Sequence, residues 1–294
     1  MPELPEVETI VRDLKKEILG RKIEDVWSDT QKIIKKPENF NLFKKEIIGK
    51  EIKDIKRRAK NILFSLSGEK TLLLHQKLTG HLLLGNWKFL NGAWIPEERE
   101  SFLNDPMNRF IRVIFYLDDG RMLALSDLRK FAKIELWSNS EFDKSGKMEE
   151  FGPEPLEKEF TFEKFKEVLE GKKGRIKQVL MNQKIIAGVG NIYSDEALWK
   201  AEIHPLTRIP DLNDNELKRI YNSLIDVLKT GLRLKGDSIS DYRRPSGEKG
   251  KFDPLREAYR REGKECSRCG SLIDRLKIGG RSSYFCPKCQ KLKY

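Results

Sequence analysis

The sequence predicts an α+β chain of several domains: an N-terminal β-sandwich carrying one helix, a helical segment, and a C-terminal four-cysteine zinc finger. Three observations carry this. Alternating apolar and polar residues dominate positions 21–138, helical periodicity replaces them from 160 to 232, and all four cysteines fall in the last 29 of 294 residues. The length suits two or three domains and is ample for a buried core.

The first element is a helix over residues 1–16. Leu4, Val7, Ile10, Val11 and Leu14 share one face, Pro5 suits the first turn, and Glu6 and Glu8 sit at its positive end. Ile62, Phe64 and Leu66 then alternate with polar neighbours, and Asp119-Gly120 predicts a hairpin joining 110–117 to 122–125. Residues 86–106 read as a long loop. Gly146 and Phe151-Gly152-Pro153 mark a linker, after which 162–169, 176–181, 192–201 and 213–232 read as helices. Gly188-Val189-Gly190-Asn191 precedes one of them, a weak signal for amides turned toward a phosphate. The expected domains are 1–145, 153–237 and 238–294.

Cys266, Cys269, Cys286 and Cys289 give the spacing C-x2-C-x16-C-x2-C, that of a zinc ribbon. Four thiolates close a tetrahedral shell and leave no open position, so one structural zinc per chain is expected. Two disulfides are the alternative, disfavoured in a chain without a secretory signal. Between the pairs, apolar residues flank Gly279-Gly280, predicting a hairpin with Arg281 at its tip.

The net charge of +12 is uneven, with +9 of it between Leu232 and Tyr294. A basic block in a folded chain points to a polyanion, most often nucleic acid. The apolar runs are far below the ~18 residues of a membrane span. The acidic N-terminus (Glu3, Glu6, Glu8) is unlike a secretory signal. A soluble, cytoplasmic chain is expected.

Several motifs coincide in order: Met1-Pro2-Glu3-Leu4-Pro5-Glu6-Val7-Glu8-Thr9, Arg57-Arg58-Ala59-Lys60, Asp127-Leu128-Arg129-Lys130-Phe131, Gly152-Pro153-Glu154-Pro155-Leu156, Gly188-Val189-Gly190-Asn191-Ile192-Tyr193, and the four-cysteine finger with Arg281. Together they resemble the bacterial formamidopyrimidine-DNA glycosylases, enzymes of base-excision repair, over nearly the whole chain. The resemblance implies a β-sandwich, a helix–two-turn–helix module and a zinc finger. It also implies a monomer acting on double-stranded DNA with damaged bases or abasic sites, in the bacterial cytoplasm at the nucleoid.

The chemistry has its own rationale. With Met1 removed, Pro2 presents a secondary amine of ordinary pKa near ~8, partly neutral at pH 7 and able to attack C1′ and form a Schiff base. Glu3 is placed to move protons at the sugar. The resemblance assigns these roles to Pro2 and Glu3, proton donation and phosphate contact to Lys60, and lesion-phosphate contact with δ-elimination to Arg281. It implies DNA contacts for His75, Lys172, Asn191 and Tyr259, and a void-filling wedge of Leu78, Arg129 and Phe131. Glu6 matches a buried glutamate near the nucleophile, and equally suits a helix start.

The chain departs from the family pattern in places. Lys77 replaces a glycine, Leu78 a methionine and Ala132 a glycine. The 86–106 loop does not end in the usual His-x-His, Arg109 and Arg112 standing nearby instead, and Arg243-Arg244-Pro245 lies in the 236–252 stretch that aligns with the damaged-base loop. Lys77 is expected to deny a positive-φ geometry, and the added arginines to strengthen attraction to phosphates. These departures predict a better abasic-site lyase than 8-oxoguanine glycosylase. Two other readings are an endonuclease VIII-like enzyme for oxidised pyrimidines, against which Leu4 argues, and a non-catalytic zinc-finger DNA-binding protein.

Overall fold

The computed structural model describes residues 1–238 and 241–292 and divides into two compact units. Ile239 and Ser240, within the expected damaged-base loop, lie outside the described residues. The first unit comprises 1–147 together with 234–251, and the second 148–233 together with 252–294.

In the first unit the expected N-terminal helix is α1 (Leu4–Ile18), which buries Leu4, Val7, Ile10, Val11, Leu14 and Ile18. Glu6 closes its first turn by accepting the Glu3 N–H at 2.8 Å. The strands follow as β1 (Ile23–Ser28) and β2 (Ile34–Lys36), then, after α2 (Phe40–Ile47), β3 (Ile52–Arg58), β4 (Asn61–Leu66), β5 (Lys70–His75), β6 (His81–Gly85), β7 (Trp87–Leu90), β8 (Ala93–Pro96), β9 (Ile111–Leu117), β10 (Met122–Ser126) and β11 (Lys133–Ser138). A short α3 (Asn139–Lys144) ends the series.

Two sheets result, ordered β1-β9-β10-β6 and β2-β11-β5-β4-β3. The inward residues of both sheets share one core with α1 and α2: Val26, Val113, Phe115 and Leu125 from the first, Ile55, Ile62, Phe64, Leu74 and Ile134 from the second. This core makes the pair a sandwich. The expected hairpin around Asp119-Gly120 joins β9 to β10, with Tyr116 opposite Met122.

Residues 86–106 are not one long loop. β7 and β8 form a hairpin with Leu90 opposite Ala93, and two 3-10 turns (Phe102–Asn104, Pro106–Arg109) follow. Asn91-Gly92, both at positive φ (51° and 80°), supply the tight two-residue turn. Trp94 packs its ring 5.1 Å from that of Trp27 and 5.2 Å from that of Phe89. Those aromatic contacts on the outer face support a hairpin that the main core does not.

The second unit holds α4 (Phe162–Leu169), α5 (Ile176–Met181), α6 (Asn191–Ala201) and α7 (Asp214–Arg233), followed by the hairpin β12 (Asp274–Ile278) and β13 (Arg281–Phe285). α6 and α7 approach so closely that a Cβ on Gly231 would lie 2.4 Å from the Tyr193 ring. Tyr193 is the largest fully buried side chain here, and glycine at 231 is what admits it. Around the cysteines the core is small: Ala258, Ile273 and Tyr284 with Cys266 and Cys286.

Candidate active site and zinc centre

In the first unit, Pro2 and Glu3 are buried at the start of α1. The two carboxylate oxygens of Glu6 take the Glu3 N–H at 2.8 Å and the Asp237 N–H at 2.9 Å. Glu6 therefore serves both roles the sequence left open, as helix start and as buried support beside the N-terminal dipeptide. Burial holds the Met1 amine below its ordinary value, while Glu3, Glu6 and Asp241 pull it up and Lys60 pushes it further down.

Lys60 sits in the turn between β3 and β4, only 6% exposed, one residue before Asn61, which pairs with His75 on β5. Arg57 beside it is fixed by Glu8 at 2.9 Å and by the Ala59 carbonyl at 3.1 Å. His75 stays neutral, pushed down to about 3 by burial and by Lys77, Lys60 and Lys133. Its Nδ1 accepts the Lys77 N–H at 2.9 Å.

The expected wedge residues lie on two turns joined by one carboxylate. Asp127, fully buried, accepts the Ala132 N–H at 2.8 Å, the Arg129 N–H at 3.2 Å and the Thr79 hydroxyl. It thus fixes the 127–132 turn and ties it to the 76–80 turn that carries Leu78. Phe131 is 48% exposed, with the Arg129 guanidinium stacked 4.7 Å from its ring centre. A large exposed aromatic beside a cation, on a turn this well fixed, suits insertion into a base stack. The motif containing Asp127 was readable in the sequence, but its structural role was not, because the carboxylate works on backbone N–H groups two and five positions on and on a hydroxyl 48 positions back.

Two expectations need correction. Lys77 does not lose the left-handed geometry: it adopts φ 56° and carries it as a lysine. Nor do three of the four added arginines face outward as free charges; Arg109 alone of them is exposed, over the Phe110 ring. Arg243, 4% exposed, forms a two-pronged ion pair with Asp105 at 3.0 and 3.1 Å. Arg244 pairs with Asp13 at 2.9 Å and with Glu248 at 2.5 Å, and Arg112 with Asp29 at 2.8 Å.

In the second unit, α6 begins at Asn191 with Gly190 as its N-cap. The Asn191 side-chain amide donates to the Ser282 carbonyl at 2.8 Å, fastening the helix start to β13 next to Arg281. Beneath it a buried pair missed by the sequence reading, Lys177 and Asp195 at 2.7 Å, also ties down the Asn191 carbonyl at 2.9 Å from Lys177 Nζ. Burial raises the Asp195 carboxyl to about 7 against the pull of Lys177. Glu196 accepts the N–H groups of Glu257, Ala258 and Tyr259 at 2.8, 3.0 and 2.8 Å, which sets the backbone of Tyr259. Lys172 and Arg281 are exposed. Gly279 and Gly280, at φ 55° and 78°, make the turn that puts Arg281 at the hairpin tip.

The Sγ atoms of Cys266, Cys269, Cys286 and Cys289 all lie within 4.8 Å of one another. Thiolates bound to one zinc at ~2.3 Å stand at separations of this order, and the donor set has the softness zinc prefers. The residues fit a single structural zinc.

A sandwich followed by a helical module and a four-cysteine cluster is the plan of a class of DNA-repair enzyme. Three family models match: the formamidopyrimidine-DNA glycosylase N-terminal domain over residues 1–134, the H2TH domain of the same glycosylases over 151–243, and a zinc finger found in FPG and IleRS over 263–292. Formamidopyrimidine-DNA glycosylase of Pelotomaculum thermopropionicum is 40% identical over 100% of both chains. That of Heliobacterium modesticaldum is 38% identical over 99% of this chain and 100% of its own. The structure of Lactococcus lactis Fpg in complex with DNA containing an abasic site matches with a TM-score of 0.84 and 32% identity, covering 99% of this chain and 100% of that one. The chain belongs to the formamidopyrimidine-DNA glycosylase family, and it is a base-excision repair DNA glycosylase with a zinc finger. No helix among the described residues is long and apolar enough to cross a membrane.

Proposed function

We propose that the chain is a bifunctional glycosylase and abasic-site lyase in which Pro2, freed by removal of Met1, is the nucleophile. Its substrate is double-stranded DNA carrying an oxidised purine or an abasic site, met in the cytoplasm at the nucleoid. The observation that carries the reading is the burial of Pro2 and Glu3 together at the start of α1, with Glu6 bonded to the Glu3 N–H.

The neutral form of the amine bonds to C1′ as the C1′–base bond breaks. Glu3 protonates the sugar ring oxygen as the ring opens to the iminium. The Glu3 carboxylate, having given up its proton, takes one from C2′ as the C3′–O bond to the 3′ phosphate breaks, Lys60 donating a proton to the departing phosphate; loss of a C4′ proton to water then breaks the C5′–O bond, with Arg281 neutralising the departing 5′ phosphate. Asn191, Lys172, His75 and Tyr259 hold the strand, and Leu78, Arg129 and Phe131 fill the gap left by the flipped nucleotide. The zinc stiffens the finger that presents Arg281 and takes no part in bond making.

The sequence of Leu4 and the similarity to named formamidopyrimidine enzymes favour this over the endonuclease VIII-like reading. The joint presence of Pro2, Glu3 and Lys60 disfavours a non-catalytic binder. The test is borohydride trapping on abasic duplex DNA. A covalent adduct whose peptide map ends at Pro2 is expected, and an adduct at a lysine overturns the assignment.

A further inference from the structure

α6 is fastened to the cysteine finger along its length. At its start the Asn191 amide donates to the Ser282 carbonyl at 2.8 Å. Further on, Glu196 takes the N–H groups of Glu257, Ala258 and Tyr259. Just past its end, the Ile203 carbonyl accepts from Gln290 Nε2 at 2.8 Å, while Gln290 Oε1 takes the Cys286 N–H at 2.8 Å. Between these stands Trp199, half-buried against the cluster that contains Cys266 and Cys286.

The first pair of cysteines grips Trp199. The guanidinium of Arg268, which lies between Cys266 and Cys269 in sequence, stands 4.2 Å from the centre of the Trp199 ring. It donates to the Trp199 carbonyl at 3.2 Å and pairs with Glu202 at 3.3 Å. The indole N–H is buried and meets no oxygen or nitrogen acceptor among the described residues. The acceptor it faces is the Cys266 sulfur. A thiol accepts weakly and would serve a buried N–H poorly, whereas a zinc-bound thiolate carries charge and accepts well. Four thiolates on one zinc leave the centre net negative, and N–H donors around the sulfurs disperse that charge. The finger supplies such donors itself, as with the Cys289 N–H, 3.4 Å from Cys286 Sγ. Trp199 supplies one from the helical module.

We infer that Trp199 takes part in zinc binding: its indole N–H bonds the zinc-bound Cys266 thiolate, so that metal occupancy braces α6, the helix that begins at Asn191, as well as the finger. The inference goes beyond the proposed reaction and holds whichever group is the nucleophile.

Two measurements on the full chain test it. The first uses the unaltered protein loaded with an NMR-active cadmium isotope in place of zinc. An indole proton should show scalar coupling to the metal, carried across the N–H···S bond, and Trp199 is the one tryptophan of the second unit. The second uses Trp199→Phe, which keeps a ring in the same space and removes the donor. Its zinc affinity, read by competition with a chromogenic chelator, should fall about tenfold to a hundredfold. Amide exchange over 191–201 in the zinc-loaded variant should quicken toward that of the chelated unaltered protein. Absence of any indole–metal coupling overturns the inference. So does a zinc affinity within about threefold of the original, or exchange in α6 that is indifferent to chelation. A variant destabilised equally with and without zinc shows Trp199 to be packing alone, and overturns it as well.

Discussion

The two units hold their functional groups by the same device on different foundations. In the first, Glu6 and Asp127 are buried carboxylates that gather backbone N–H groups and so fix the turns bearing Pro2, Arg129 and Phe131. In the second, Glu196 does the same for the segment bearing Tyr259. Beneath the first lies one apolar core shared by two sheets and two helices. Beneath the second, around the finger, lie three non-cysteine core residues and four thiolates. The contrast teaches where each unit can be injured. The sandwich folds by burying apolar area, so its site can be altered without unfolding it. The finger is below the size at which a core suffices, so its stability is metal binding.

The largest effect should come from chemistry alone, with no folding cost. Retention of Met1 turns the Pro2 nitrogen into an amide, and Pro2→Gly replaces the secondary amine. Trapping on abasic DNA should fall by more than about a hundredfold in the Met1-retaining form while its melting profile is unchanged. In the processed enzyme, trapping should rise with pH through an apparent pKa below the ordinary ~8 and then level off. The sign follows from the burial of Pro2, since burial disfavours the ammonium and leaves neutral amine at lower pH. A pH midpoint above 8 would show the carboxylates to outweigh burial.

Metal loss should come next, and it divides the units. Cys286→Ala, or chelation of the reduced protein, should remove the one zinc and weaken DNA binding about tenfold or more, since Arg281 loses its platform. The sandwich should keep its own cooperative transition. A single transition that moves as a whole breaks the contrast drawn above, and so does metal analysis finding no zinc in fresh reduced protein.

Asp127→Asn tests the shared device. An amide keeps one acceptor oxygen where the carboxylate used two, and loses the charge that strengthens bonds to N–H groups. About 2–3 kcal/mol of stability should go, with excision of a base impaired more than abasic cleavage because the Phe131 turn loosens. Urea unfolding and paired single-turnover assays check this, and a loss under about 0.5 kcal/mol would show the turn to be held otherwise.

Local regularities were legible in the sequence. α1, α7, the β9–β10 hairpin and the cysteine finger all announce themselves through spacing or turn residues. The site residues were legible only through the family motifs, since Pro-Glu at a chain start is otherwise a helix lead-in. What sequence order hides is where 234–251 packs. Its anchors, Glu6, Asp13, Leu84 and Asp105, are more than a hundred positions away, and Arg243 and Arg244 look the same written down whether solvated or paired. The β7–β8 hairpin is a different case. Asn91-Gly92 carried the signal, and the polar run after Pro96 drew the reading toward a loop.

The smallest effect concerns Lys77, where the backbone rather than a side chain is at stake. At φ 56° a lysine carries a penalty of roughly 1–2 kcal/mol relative to ordinary geometry. Lys77→Gly removes that strain but adds about 0.5–1 kcal/mol of unfolded-state entropy. The difference leaves a gain of about 0.5–1 kcal/mol for glycine, or roughly 1–4 °C in the melting of a domain of this size. The bond from the Lys77 N–H to His75 Nδ1 is a backbone contact and survives the change. The repulsion that Lys77 exerts on His75 disappears, so the imidazole should titrate somewhat above 3, yet burial keeps it neutral across pH 5–8. Trapping at pH 7 should therefore be unaltered. A destabilised Lys77→Gly protein would mean that the lysine side chain, half-buried beside Lys133 and Glu135, contributes more packing than its backbone strain costs.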